Sequence, residues 1–95
     1  MYGTVARMRV KAGKEQEVLK MADEASSITG FVFSHVYKLD GGNNEYILVA
    51  GFDSKEAYAK NANSPEQHER YLAYRELLES DPEWNDGEIV STNKA

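Results

Sequence analysis

The chain opens on a period-two pattern. Tyr2, Thr4, Ala6, Met8 and Val10 fall on one side and Gly3, Val5, Arg7 and Arg9 on the other, which predicts a strand. Lys11-Ala12-Gly13-Lys14 ends the alternation. Val18, Leu19, Met21, Ala22 and Ala25 then recur at helical spacing against Glu15, Gln16, Glu17, Lys20, Asp23 and Glu24, predicting an amphipathic helix to about Ser26. Ile28-Thr29-Gly30 is a short connection. Phe31 to Leu39 alternates again, with Phe31, Phe33, His35, Tyr37 and Leu39 expected on one face and Val32, Ser34, Val36 and Lys38 on the other. Asp40-Gly41-Gly42-Asn43-Asn44 is turn chemistry, rich in residues that accept positive φ. Glu45 to Phe52 is a third strand, so the two strands flanking this loop form a hairpin.

Asp53 or Ser54 is expected to cap a helix that includes Ala57, Tyr58 and Ala62, with Asn61-Ala62-Asn63 interrupting it. Ser64-Pro65-Glu66-Gln67 restarts it: Ser64 as N-cap, Pro65 at the first helical position and Gln67 closing a capping box. This helix is predicted to reach about Glu79, before Asp81-Pro82. Trp84 to Thr92 is a last strand, weakened by Asp86 and Gly87. The order βαββαβ points to an α+β, ferredoxin-like four-stranded antiparallel sheet with its helices on one face. Val5, Val32, Val36, Ile47 and Val49 are expected on one sheet face and the Phe, Tyr and Leu series on the other, so both are apolar. Helices cover one face only; a second copy in an isologous homodimer is the simplest cover for the other.

At 95 residues the chain is read as a single domain, 1–95. Eleven basic against sixteen acidic residues leave a formal charge of −5, which weighs against nucleic acid and anionic membranes as partners. No apolar run approaches the ~20 residues of a membrane span, and the start is not that of a secretory signal, so a soluble cytoplasmic protein is the expectation. The absence of cysteine excludes disulfides, thiolate zinc sites and thiol catalysis.

Arg7-Met8-Arg9-Val10-Lys11-Ala12-Gly13-Lys14-Glu15 resembles the "strand, K-x-G-K/R-E, helix" opening of dimeric α/β-barrel proteins. Gly30-Phe31-Val32 resembles the G-F that begins their second strand. Phe52-Asp53-Ser54-Lys55-Glu56-Ala57-Tyr58, with Ser64-Pro65-Glu66-Gln67-His68, resembles the start of their second helical segment. The nearest branch is the antibiotic biosynthesis monooxygenase-like group, and the likeness runs from about Tyr2 to Val90. The resemblance implies two sheets packed face to face in a homodimer and a pocket between sheet and helices in each subunit. It also implies cofactor-free chemistry, in which a deprotonated phenol or anthrone itself reduces O₂. Such a site needs a base, hydrogen-bond donors and a dry cavity, and neither flavin nor metal. Haem-degrading members use a strand-one Asn, a Trp and a helical His. Strand one here offers Thr4, Ala6 and Met8, and the single Trp is Trp84, so haem is disfavoured.

Among residues able to do chemistry, His68, Tyr71, Leu72 and Arg75 follow i, i+3, i+4, i+7 spacing and share one helix edge, beside an apolar stripe of Tyr71, Tyr74, Leu77 and Leu78. His68, Tyr71 and Arg75 are the candidate catalytic set: together they can deprotonate a phenol and hold its anion. The plainer alternative is a His near a helix start and an Arg paired to a local carboxylate. His35, Tyr37, Tyr46, Asn61 and Asn63 are candidates for substrate binding. Against that, His35 fits an interface, Tyr37 and Tyr46 fit cross-strand packing, and the asparagines fit a helix break. One of Arg7 and Arg9 is expected as an interface ion-pair partner, with an anion clamp in the pocket as the other role open to the pair, and Trp84 as a core or interface anchor. His35 and His68 belong to no metal-ligand spacing. The expected activity is a cofactor-independent monooxygenase acting on a small aromatic substrate; the alternative is a non-catalytic dimeric module that binds a small hydrophobic ligand or serves a stress or regulatory role.

Overall fold

A computed structural model describes residues 1–95. Its elements are β1 (Tyr2–Arg9), α1 (Glu15–Glu24) with a 3₁₀ turn at Ala25–Ser27, β2 (Phe31–Lys38), β3 (Glu45–Phe52), α2 (Lys55–Ala62), α3 (Pro65–Arg75) and β4 (Glu83–Glu88). The strands form one antiparallel sheet in the order β2-β3-β1-β4, the ferredoxin-like arrangement. No helix is long and apolar enough to cross a membrane.

Local chemistry sets the helix boundaries. Ser54 accepts a hydrogen bond from the Ala57 N–H at the start of α2, and Ser64 accepts one from Gln67 N–H at the start of α3, where Pro65 occupies the first turn. The capping box at Ser64 is only half formed, because the Gln67 side chain bonds Arg70 and Asn61 instead. Gly30 adopts φ +84° where β2 begins; a side chain there would be strained and would meet the Ala57 Cβ at 2.6 Å. Asn43 and Asn44 take the positive φ expected of the hairpin loop.

Two expectations are corrected. α3 ends at Arg75 rather than near Glu79, because the following residues pair with the end of β1: Lys11 N–H donates to Leu77 O, Glu79 N–H donates to Arg9 O, and Val10 and Leu78 form a bridge. The last strand ends at Glu88, not Thr92. A further correction concerns β2. Phe31 pairs with Phe52 but Phe33 pairs with Gly51, so Val32 is an inserted residue, and the side-chain phase reverses at this bulge. Phe31, Ser34 and Val36 therefore share the helix-covered face with Phe52, Ala50 and Leu48. Phe33, His35 and Tyr37 share the open face with Gly51, Val49 and Ile47.

The packed core is small. Ala6, Met8, Val10, Val18, Tyr46 and Leu78 form it, flanked by Val36, Leu48, Tyr74 and Leu77. Only 11 of 95 residues are buried in the single chain, while Val5, Val32 and Tyr37 remain 44–55% exposed. The open face thus carries an apolar patch, edged by Arg7, Arg9 and Glu45, that the chain itself leaves uncovered.

Candidate active-site cavity

The cavity is the continuation of the core along the sheet, built where the side chains become small. One cross-strand row, Ser34–Ala50–Thr4–Asp86, traverses all four strands, and every member faces the helices and lines the cavity. In the core-side row Tyr46 pairs with Met8, and these fill the space under α1. Replacing such bulk by Ser, Ala and Thr leaves a cavity of about 440 Å³ between the sheet and the helices. Met21, Ala22, Ala25 and Ile28 wall it on the α1 side, and Asn61, Gln67, His68, Arg70, Tyr71 and Tyr74 on the α2–α3 side. Its lining is predominantly apolar with a few convergent polar groups, as small-molecule sites are.

Several polar side chains are held in place. Tyr58 packs edge-on against Tyr2 and Phe52, with ring centroids 5.2 and 5.5 Å away, and its hydroxyl donates to Asp86 Oδ1 at 2.8 Å. Burial, reinforced by Asp86, pushes its pKa up to about 12. Tyr74 is likewise pushed up to about 12 by burial, and its hydroxyl donates to Met8 Sδ at 2.9 Å. Tyr71 lies 6.4 Å from Trp84, centroid to centroid, and its pKa is raised by burial and then by the neighbouring Asp81 charge. All three phenols are therefore neutral near pH 7, suited to donate hydrogen bonds and not to accept protons as phenolates. The His68 imidazole in the same wall is the side chain suited to proton abstraction. Arg70 donates to Gln67 Oε1 at 2.8 Å and is paired with no carboxylate, and Asn61 Nδ2 approaches the same oxygen at 3.4 Å.

A family model for antibiotic biosynthesis monooxygenases matches residues 1–74. The chain belongs to the antibiotic biosynthesis monooxygenase family. No curated protein matches its sequence. Among solved structures it is similar to SnoaB, a cofactor-independent oxygenase from Streptomyces nogalater, at TM-score 0.79 and 19% identity over 96% of this chain and 94% of that one. A conserved protein from Methanosarcina mazei is similar at TM-score 0.74 and 19% identity, covering 90% of this chain and 89% of that one. A protein of Deinococcus radiodurans assigned to the same family gives 0.80 at 13% identity, covering 100% and 98%. These likenesses show the fold, that of the dimeric α/β-barrel proteins.

In this member of the antibiotic biosynthesis monooxygenase family, the residues singled out from sequence are divided. His68, Tyr71 and Asn61 come together in the cavity wall. Arg75 does not reach it: its guanidinium donates to Asp81 Oδ1 at 2.6 Å and to Leu78 O at 3.0 Å, tying down the segment after α3 and holding the Asp81 carboxyl below its ordinary range. Asn63 is the exposed C-cap of α2, its backbone N–H bonded to Ala59 O. Tyr46 is buried in the core, with its pKa raised by burial and by Glu15. His35 and Tyr37 stand on the open face, beyond the sheet from the cavity, because of the Val32 bulge; the His35 ring lies 5.6 Å from Phe33. Arg7 and Arg9 both hold Glu45 within the chain, at 2.6 and 2.7 Å.

The lining also includes Thr4, Tyr58, Gln67, Arg70, Trp84 and Asp86, none of which the sequence pattern assigns to a site. A signal existed for Arg70 and Gln67, which are three apart on one helix face beside His68. For Asp86 the only signal was its oddity inside a strand. No three His, Asp or Glu side chains gather to hold a metal ion.

Proposed function

We propose that the chain is a cofactor-independent monooxygenase that oxidises a small aromatic substrate of phenol, quinol or anthrone type with O₂ in this cavity. The observation that carries the reading is the 440 Å³ apolar cavity with His68 in its wall. Family membership supports it, as does the likeness to SnoaB, itself described as a cofactor-independent oxygenase. His68 removes a proton from the bound substrate. Asn61 and Arg70 are placed to donate hydrogen bonds to the anionic oxygens that then develop, while the Tyr71 hydroxyl donates to Asp81 Oδ1. An activated methylene and O₂ give a carbonyl and water: one oxygen atom enters the product, the other leaves as water, and the substrate supplies every electron. Arg75 acts in this scheme only by anchoring the segment that Tyr71 also touches, through Asp81.

The working unit proposed is a homodimer joined through the open sheet faces, since Val5, Val32, Phe33, Tyr37, Ile47 and Val49 form an apolar surface on a chain with few buried residues. Light scattering at micromolar concentration should give twice the chain mass, and Val49→Lys should give the monomer mass.

Oxygen uptake with a panel of anthrones and hydroquinones tests the activity. The expected result is uptake that requires the protein and falls at least about a hundredfold in His68→Ala, the usual scale of a lost general base. Turnover unaffected by that substitution removes His68 from the mechanism, and no uptake with any member of the panel removes the proposed activity.

A further inference from the structure

Ile89-Val90-Ser91-Thr92 is a strand-forming run, three of its four residues β-branched, that finds no strand to join in its own chain. β4 ends at Glu88, opposite Tyr2, and the last bond to the sheet runs from Ile89 N–H to Met1 O at 2.8 Å. Beyond it no backbone hydrogen bond holds the chain, and Val90 is 85% exposed, the most exposed of the large hydrophobic side chains. The opposite edge of the sheet is open too. β2 is eight residues long, its outer row of backbone groups meets no strand, and Val32 on it is 49% exposed. One side of the sheet therefore has a strand-forming segment without an edge, and the other an edge without a strand. Within one chain the two do not meet, because β3 and β1 lie between them at about 4.8 Å per strand.

Two-fold symmetry brings them together. An axis along the strands packs open face on open face and reverses the strand order of the second sheet, which sets the partner's β4 over β2. Every neighbouring pair in the sheet is antiparallel, so β4 runs opposite to β2, and rotation about that axis preserves the opposition. An axis across the strands would instead set β4 over β4, with Glu83, Asp86 and Glu88 against their own copies. β2 holds no acid and carries His35 and Lys38, the latter bridged to Glu15. Face-packed sheets lie about 10 Å apart and four extended residues span about 13 Å, so Ile89–Thr92 reach across a gap that β4, tied to β1, does not. Closing two sheets into a barrel also staggers the strands at the junction, which calls for a strand that runs on past the end of its own sheet. We propose that in the homodimer Ile89–Thr92 of each protomer pair with the edge of β2 in the other and close the two sheets into a barrel. This rests on the reading of the open face as a dimer interface.

The absence of cysteine makes the test clean. Val90 keeps the phase of Asp86 and Glu88, on the side of the sheet where β2 carries Ser34 and Val36. In the full chain, Val90→Cys is combined with Ser34→Cys or with Val36→Cys, both nearly isosteric changes, and treated with a short bis-maleimide. The expected result is a covalent dimer on a denaturing gel from at least one double variant and from none of the three single variants. Sedimentation of Val90→Asp should show the dimer dissociation constant raised at least about tenfold, since the exposed valine of the free chain becomes two buried ones in each dimer. A wild-type chain of monomer mass overturns the dimer and the tail pairing together. A wild-type dimer that yields no cross-linked double variant, or whose constant Val90→Asp does not move, overturns the tail pairing and leaves the dimer standing. A covalent dimer from Val90→Cys alone also overturns it, because the two tails would then meet each other and not β2.

Discussion

If the cavity is kept for a ligand, filling it should stabilise the protein and stop binding. Ala22 is suited to the test: it lies on α1, half-buried, with its methyl group in the cavity wall. Leu is nearly as good a helix former as Ala, so Ala22→Leu alters little but the filling. The extra atoms amount to three methylenes at about 0.8 kcal/mol each, some 2.4 kcal/mol if wholly buried. The wall is only partly enclosed, and about 1 kcal/mol is the fair expectation, or roughly 4–8 °C in melting temperature for a chain of this size. A site already packed would respond oppositely, since forcing methylenes into a tight core costs about 1–3 kcal/mol. Urea unfolding at one fixed protein concentration gives the stability, the fixed concentration being needed if the unit is a dimer. Calorimetry with 1,5-dihydroxynaphthalene gives the affinity, expected to weaken at least about tenfold, or 1.4 kcal/mol. Destabilisation by more than about 1 kcal/mol would show that the 440 Å³ is not available to side chains. Stabilisation with binding intact would move the ligand elsewhere.

Two further outcomes follow from other parts of the chain. A Cβ on Gly3 would run into the Ala50 carbonyl, a backbone atom held in the β1–β3 ladder, so Gly3→Ala should cost about 3 kcal/mol or more in denaturant unfolding; an unchanged midpoint contradicts the register described. Arg7 and then Arg9 hold the Glu45 carboxyl below its ordinary range, and Lys38 and Arg75 do the same for Glu15 and Asp81. Carboxyls with lowered folded-state pKa contribute stability above their unfolded values, near pH 4–4.5, and lose it as pH falls through the folded values. The groups are solvent-exposed and the effect is small. Stability should thus decline below about pH 4.5, and Glu45→Gln should flatten that decline; an acid limb identical to wild type removes Glu45 from the account.

The fold was legible because it depends on periodicity and punctuation, which are local. Ser54, Ser64 and Pro65 announce their helices by backbone chemistry that operates within four residues, and the hairpin loop declares itself through Asn43 and Asn44. What stayed hidden depends on pairing. The alternation of β2 reads as unbroken from Phe31 to Leu39, yet the inserted Val32 sends His35 and Tyr37 to the open face. A bulge is decided by the partner strand: the Phe33 ring occupies the space left by Gly51, its register partner, which no inspection of β2 alone shows. Arg75 has the right helical spacing to join His68 and Tyr71, but spacing gives a Cβ direction and not the end of a long side chain. Asp81, six residues on, takes the guanidinium.

The cavity itself is the clearest case of information that is present in the sequence but not in order. Ser34, Ala50 and Thr4 are unremarked small residues on three strands, and Asp86 is an acid in a fourth that weakens its strand pattern. None signals a site. Only the antiparallel register places them side by side in one row, and only in that row does the small size of Ser34, Ala50 and Thr4 add up to a void instead of three separate tolerable gaps. The same register explains why the helical residues were easier to find than the sheet residues. His68, Tyr71 and Asn61 advertise their chemistry by type and lie close together in the chain, the first two on α3 and Asn61 in the last turn of α2. Thr4 becomes conspicuous only as a buried hydroxyl without a partner, a property it acquires from Asp86 and Tyr58, 82 and 54 residues away. In the folded sheet that hydroxyl lies beside the Tyr58 phenol, whose own proton goes to Asp86 across the β1–β4 ladder, so three residues that are far apart in sequence meet at one end of the row.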